Sequence, residues 1–302
     1  MRIYSSDRFV LPLPPGHRFP MHKYRLLRER VEQARLAGPD GLREPPAARD
    51  DEILRAHEAH YLRRVVAGTL SAHEQRRIGF PWSEQMVERS RRSAGATLAA
   101  ARWALASRGV GVNLAGGTHH AFRDRGEGYC VFNDAAICAL VLQAEGEIRR
   151  ALVVNCDVHQ GNGTASILAT DPSVFTFSIH AANNFPFRKE ASDLDLELPD
   201  GAGDRDYLPM LERGICHALS AAQPDLVIYL AGADAHEGDR LGRLALTTAG
   251  LEARDRLVFE ACAACALPVV VAMAGGYGCD IDDTVQVHFN TVRLAREILD
   301  RR

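Results

Sequence analysis

Five short apolar runs rich in β-branched residues recur along this chain, at Gly111–Ala115, Ala151–Val154, Val174–Ile179, Leu226–Ala231 and Val269–Ala274. Continuous apolar runs of this length suit parallel strands, whose two faces are both covered by other elements. Between them lie segments of helical periodicity, about 83–107, 133–145, 205–222, 247–266 and 282–299. Asp204 is placed to cap the third of these, and Pro224 follows its end. Strands alternating with helices predict an α/β fold of three layers, a mostly parallel central sheet flanked by helices. No repeat or long linker divides the 302 residues, so one domain over 1–302 is expected. Residues 7–80, rich in Pro and Arg, are expected as helices and loops beside the sheet.

Polar and glycine-rich motifs fall where the apolar runs stop. Asn113-Leu-Ala-Gly-Gly-Thr-His119-His120 follows the first run and Asn155-Cys-Asp157-Val-His159 the second. Ser178-Ile-His180 closes the third, Ala231-Gly-Ala-Asp234 the fourth and Ala274-Gly-Gly-Tyr277 the fifth. Ligand sites in open α/β sheets lie at the carboxyl ends of the strands, so these motifs are expected to form one site. On an extended backbone residues i and i+2 point the same way, which brings Asp157 and His159 together. With Asp234 they make a three-ligand set with open positions, the pattern of a catalytic divalent metal. Zinc would acidify a bound water, one of the adjacent histidines His119 and His120 could take its proton, and Tyr277 could donate to a developing oxyanion. That combination suits amide hydrolysis.

Ordinary roles are open to each residue alone. Asp-x-His can be a hydrogen-bonded pair, the two histidines a satisfied turn, Asp234 a helix cap and Tyr277 a packing residue. Their convergence on one sheet edge favours the functional reading. His57-Glu-Ala-His60 has spacing i, i+3, not the i, i+4 of a helical zinc motif, and is read as helix packing. Cys262-Ala-Ala-Cys265 has no second pair to answer it and is read as two packed small residues. His17, His22 and His236 stay open, whereas His73, His217 and His288 read as surface or structural.

Composition narrows the partners. A net charge of −3 argues against nucleic-acid binding, and no apolar run reaches the length of a membrane span. The N-terminus lacks a basic-then-apolar leader, and the seven cysteines are mostly set in apolar runs, so a reducing cytoplasm is expected. Lys23 and Lys189 are the only lysines among 36 basic residues, which reads as base-composition bias.

At these motifs the sequence resembles the zinc-dependent histone deacetylase family, of the arginase/deacetylase fold. The resemblance rests on Gly116-Gly-Thr-His-His120, Gly126-Glu-Gly-Tyr-Cys-Val-Phe-Asn-Asp134, Asp157-Val-His-Gln-Gly-Asn-Gly163, Gly232-Ala-Asp234 and Gly275-Gly-Tyr277. Glu237-Gly-Asp-Arg-Leu-Gly242 and His17-Arg-Phe-Pro-Met-His-Lys-Tyr24 look closest to class IV and its bacterial relatives. The resemblance implies one catalytic zinc on Asp157, His159 and Asp234, with His120 as main base and acid beside His119, and Tyr277 polarising the carbonyl. It implies that Gly128, Tyr129 and Phe185 wall a tunnel for an acyl-lysine side chain, with Asn162 behind the second histidine. It also implies a structural potassium held by Asp157, the His159 carbonyl and the Ser178 hydroxyl. Asn155 departs from the family's usual Asp. An amide orients an imidazole without raising its basicity, so His119 is expected to be neutral and weakly basic, and the potassium loses a negative neighbour.

The expected reaction is removal of an acetyl or longer acyl group from a lysine ε-amine of a protein or peptide. An acetylpolyamine or other small acylated amine is the nearest variant, which calls for an acidic gate that the sequence does not locate. A dimanganese arginase-like hydrolase needs a carboxylate where Gly161 stands. A non-catalytic acyl-lysine binder would have no use for both histidines and Tyr277. Fe(II) fits the same ligands as zinc, and the sequence is silent on oligomeric state.

Overall fold

Each of the five apolar runs is a strand, and two further strands lie at the sheet edges. The computed structural model describes residues 1–300. In chain order the strands are β1 (Arg2–Tyr4), β2 (Val110–Asn113), β3 (Ala151–Asn155), β4 (Val174–Ala181), β5 (Leu194–Leu198), β6 (Leu226–Leu230) and β7 (Val269–Ala272). They pair in parallel throughout, in the order β1-β2-β7-β6-β3-β4-β5. The helices are α1 (Lys23–Gln33), α2 (Asp50–Ile53), α3 (Ala59–Ala67), α4 (Ala72–Ile78), α5 (Glu84–Ser107), α6 (Asp134–Ala144), α7 (Asn162–Leu168), α8 (Asp204–Ala222), α9 (Thr248–Ala264) and α10 (Ile281–Leu299).

Alternation along the strands builds the three layers. Leu152 and Val154 of β3 enter one apolar layer with Leu211 of α8, Phe259 of α9 and Val292 of α10. Ala151 and Val153 enter the opposite layer with Leu98 of α5 and Leu142 of α6. Burial of such a Val or Leu contributes roughly 1.5–3 kcal/mol, so the core holds the strand ends in place independently of any site.

The apolar-run criterion missed β1 and β5. β5 reads Leu-Asp-Leu-Glu-Leu, an alternating, partly exposed strand at one edge, and β1 spans three residues at the other. Asp204 does not cap α8. Gly203 occupies that position, and the Asp204 carboxylate instead accepts from Thr247 N and Oγ1 at 3.0 and 2.7 Å. His57 and His60 do not share a helix either. His57 lies in the bend before α3, bonded to Phe122 O and Asn133 N at 2.9 Å each, while His60 is exposed on α3. Of the Cys262/Cys265 pair only Cys262 is buried.

Neighbouring strands β3 and β6 feed in opposite directions. The chain leaves β3 through α7 to β4 on one side and leaves β6 through α9 to β7 on the other. Their loops therefore diverge and open a crevice at a topological switch point, where open α/β sheets bind ligands. Asp157 and His159 follow β3, and Asp234 follows β6.

Candidate active site

β3 ends at Asn155, and Asp157–His159 form a bend, not the extended backbone that the spacing suggests. The convergence comes from a local turn in which Asp157 Oδ1 accepts the His159 N–H at 2.9 Å. His159 Nδ1 then lies 2.9 Å from Asp157 Oδ1 and 3.1 Å from Asp234 Oδ2. Backbone N–H groups hold the remaining carboxylate oxygens, Val158 to Asp234 Oδ1 at 2.9 Å and Gly275 to Asp157 Oδ2 at 2.7 Å. Gly275 has to be glycine, since a Cβ there would come 1.9 Å from Asp234 Oδ2.

One potential ligand atom from each of Asp157, His159 and Asp234 lies within 4.8 Å of the others, and all three residues are buried. Among the described residues no lysine or arginine pairs with either carboxylate. Burial opposes a charged His159, yet the two carboxylates outweigh it and raise the ring to about 10. Two buried carboxylates calling for positive charge, with an imidazole nitrogen aimed at both, fit a divalent ion. This buried Asp–His–Asp group is consistent with the single zinc that the sequence resemblance implies.

His119 and His120 leave β2 through a turn with Gly116 and Gly117 at φ 81° and 69°. Asp134, the first residue of α6, organises that turn, accepting from Gly117 N, Thr118 N, Thr118 Oγ1 and Thr97 Oγ1 at 2.9, 2.8, 2.7 and 2.6 Å. His119 Nδ1 faces Asn155 Oδ1 at 3.2 Å, His120 Nδ1 faces Asn162 Oδ1 at 2.7 Å, and the two Nε2 atoms are 3.1 Å apart. Burial is the largest influence on both rings, lowering His119 to about 4 and His120 well below its ordinary value.

Tyr277 closes the opposite wall. Burial, then the Asp234 and Asp157 charges, push its hydroxyl well above the usual tyrosine range, so it stays protonated. Its backbone is clamped, the N–H donating to Asp239 at 2.6 Å and the carbonyl accepting from Arg240 Nε at 2.9 Å. Asp239 and Arg240 lie inside the Glu237–Gly242 segment, to which the sequence assigned no role.

These groups open on a cavity of about 360 Å³ that also contains Gly128, Tyr129, Phe185, Phe19 and Tyr24. Tyr129 stacks 5.2 Å from Phe19 and 5.8 Å from Tyr277, and Phe185 meets His120 edge-on at 5.0 Å. A Cβ on Gly128 would come 2.7 Å from His120 Cδ2. The contribution of Phe19 and Tyr24 was invisible in sequence, where their segment stood only as a branch marker. Arg77, Arg243 and the exposed Phe187 line the mouth, and among the described residues the only carboxylate lining the cavity is the buried Asp157.

The potassium cage does not fit. Two of its acceptors, the His159 carbonyl and Ser178 Oγ, are taken by Asn155 Nδ2 at 3.1 and 3.2 Å.

The sequence profile of the histone deacetylase domain matches residues 17–292. The chain is 44% identical over 296 residues to an uncharacterized protein of Picosynechococcus sp., covering 98% of both. It is 29% identical to the histone deacetylase-like amidohydrolase of Pseudomonas aeruginosa, over 88% of this chain and 74% of that one. Its match to histone deacetylase 2 of Arabidopsis thaliana is 31% over 78% of this chain, and spans 62% of that protein's length. In fold it is similar to the crystal structure of the HDA15 HD domain, at TM-score 0.84 and 24% identity over 98% of this chain and 90% of that one. An HDAC homolog complexed with SAHA gives TM-score 0.84 at 21% identity, over 98% and 84%. On the profile match and the shared length of these relatives, this chain belongs to the histone deacetylase family.

Proposed function

We propose that this protein is a zinc-dependent amidohydrolase that removes acyl groups from lysine ε-amines, with 1–302 as one catalytic domain. The observation that carries this reading is that Asp157, His159, the paired His119/His120 and Tyr277 line one cavity, with Asp234 grouped beside Asp157 and His159 beneath it. When bound by those three ligands, zinc would polarise the scissile carbonyl and acidify a water molecule.

The chain's own residues supply the rest. The Asn155 amide is oriented by the His159 carbonyl, which can only accept, and by the Asp157 N–H, which donates to Oδ1 at 3.3 Å. Oδ1 therefore accepts from His119 Nδ1–H, and the His119 lone pair sits at Nε2. Asn162 Oδ1 supports the same tautomer in His120. Two Nε2 atoms facing at 3.1 Å can share one proton, while burial lowers both rings and keeps the resting pair neutral. The pair is thus a one-proton base, and His120, packed against Phe185 and Gly128, hands that proton to the departing amine. The Tyr277 hydroxyl donates to the carbonyl oxygen as charge develops there. Gly128, Tyr129 and Phe185 enclose the aliphatic stem.

The mouth favours an acyl-lysine in a peptide over an acetylpolyamine. A polycationic amine meets Arg77 and Arg243 there, whose partners Glu127 and Asp200, at 3.5 and 2.8 Å, lie outside the cavity lining. Gly161 offers no ligand to a second metal, which disfavours an arginase-like reaction. The branch placement near class IV rests on the Glu237–Gly242 and His17–Tyr24 segments of the sequence. Among the described residues no helix is long and apolar enough to cross a membrane. All seven cysteines are free thiols, which supports a cytoplasmic setting. The deciding assay is a panel of acyl-lysine peptides and acetylpolyamines, run with the zinc-loaded protein and its Tyr277→Phe variant. Turnover of peptides but not polyamines is expected, and no turnover of any substrate sinks the proposal.

A further inference from the structure

We infer that the Asn155 side-chain amide stands in for the structural monovalent cation, so that this chain needs no potassium at the end of β3. A cation there would be held by the His159 carbonyl, the Ser178 hydroxyl and the Asp157 carboxylate and main chain. Both N–H bonds of Asn155 Nδ2 are spent on the first two, at 3.1 and 3.2 Å. The amide cannot be turned around. Its oxygen is needed by the Asp157 N–H, and its nitrogen faces a carbonyl that only accepts. Ser178 Oγ completes its bonding with His180 Nδ1 at 2.9 Å.

The Asp157 carboxylate, assigned above to the zinc, is braced by backbone. Asp157 Oδ1 accepts the His159 N–H at 2.9 Å and Oδ2 the Gly275 N–H at 2.7 Å. Backbone packs behind the amide, because a Cβ at Gly161 would lie 3.3 Å from Asn155 Nδ2. A potassium ion entering here would meet two N–H donors aimed at it and would have to displace them. The positive ends of those two N–H dipoles do what the ion would do. They satisfy buried acceptors and tie the β3 loop to β4, with no ion to lose.

Thermal unfolding reads this without reference to any substrate, so its outcome is separate from that of the deacylase assay. The zinc-loaded protein is dialysed free of alkali metals and melted at matched ionic strength in potassium chloride or choline chloride. Equal melting temperatures are expected in the two salts from 0 to about 150 mM, a range that spans ordinary ionic strengths. A saturable rise in potassium alone overturns the inference. Asn155→Asp replaces the N–H donors with acceptor oxygens and adds a charge. That variant is expected to melt roughly 5 °C higher in saturating potassium than in choline. If it folds and shows no such difference, Asn155 is not the replacing group. If it fails to fold in choline but folds in potassium, the inference is supported. If it folds in neither, the wild-type comparison decides alone.

Discussion

His119 Nε2 and His120 Nε2 face each other at 3.1 Å, and each ring is backed at Nδ1 by a neutral amide, not a carboxylate. With only amides behind it, burial dominates and His119 falls to about 4. Asn155→Asp places a negative charge against Nδ1 and raises that value. Because the base must be neutral to act, the acidic limb of the kcat/KM profile is expected to move up by about one pH unit or more. An unchanged profile counts against His119 belonging to the proton-accepting pair.

Tyr277→Phe removes a hydroxyl held fully protonated by burial and by two nearby carboxylates. A loss of about 10²–10³ in kcat is expected, with zinc affinity and melting temperature nearly unchanged. Steady-state kinetics beside a zinc competition titration separates this from a folding defect.

Removing the metal leaves Asp157 and Asp234 buried with only His159 to balance them. Chelation is expected to lower the melting temperature by about 5 °C or more, restored by added zinc. Differential scanning calorimetry with and without chelator checks it.

Arg254 is fully buried on α9, where it pairs with Asp255 and donates Nη1 to the Cys156 and Gly232 carbonyls. Those carbonyls belong to the two loops that carry Asp157, His159 and Asp234. Arg254→Met strands the Asp255 charge and is expected to cost about 3–5 kcal/mol in denaturant unfolding. Adding Asp255→Asn should recover part of that loss, because the stranded charge is gone.

His57 is buried neutral, with burial pulling it down to about 4. Below its unfolded value near 6.5 the unfolded chain binds the proton and the folded chain does not. The stability it contributes is therefore full above that pH and lost as pH falls toward 4, amounting to roughly 3 kcal/mol. His57→Gln should be less stable at pH 7 but flatter across that window in urea melts.

Much of the fold was legible because buried parallel strands must be apolar on both faces, as Ala151-Leu-Val-Val154 is. β5 escaped because an edge strand obeys alternation instead, and Asp204 escaped because a cap position does not say which helix a carboxylate serves. Asp157, His159, Asp234, His119, His120 and Tyr277 stood out because their residue types are chemically expensive to bury without a purpose. Asp239 and Arg240, which bond only backbone, and Arg254, which pairs with its neighbour Asp255, did not, since such charged residues look in sequence like solvated ones.

The sequence by itself determined the layer architecture, the family and which candidate side chains gather at one sheet edge, since these follow from periodicity and from residue types at the ends of strands. Only the tertiary structure decided what Asn155 does. One-dimensional order records that an amide replaces an acid, but not which atoms the amide reaches. The two acceptors it satisfies are separated from it by 4 and 23 residues. They meet there because β3 and β4 pair in register at Asn155 and Ser178 while the β3 loop folds back over its own end.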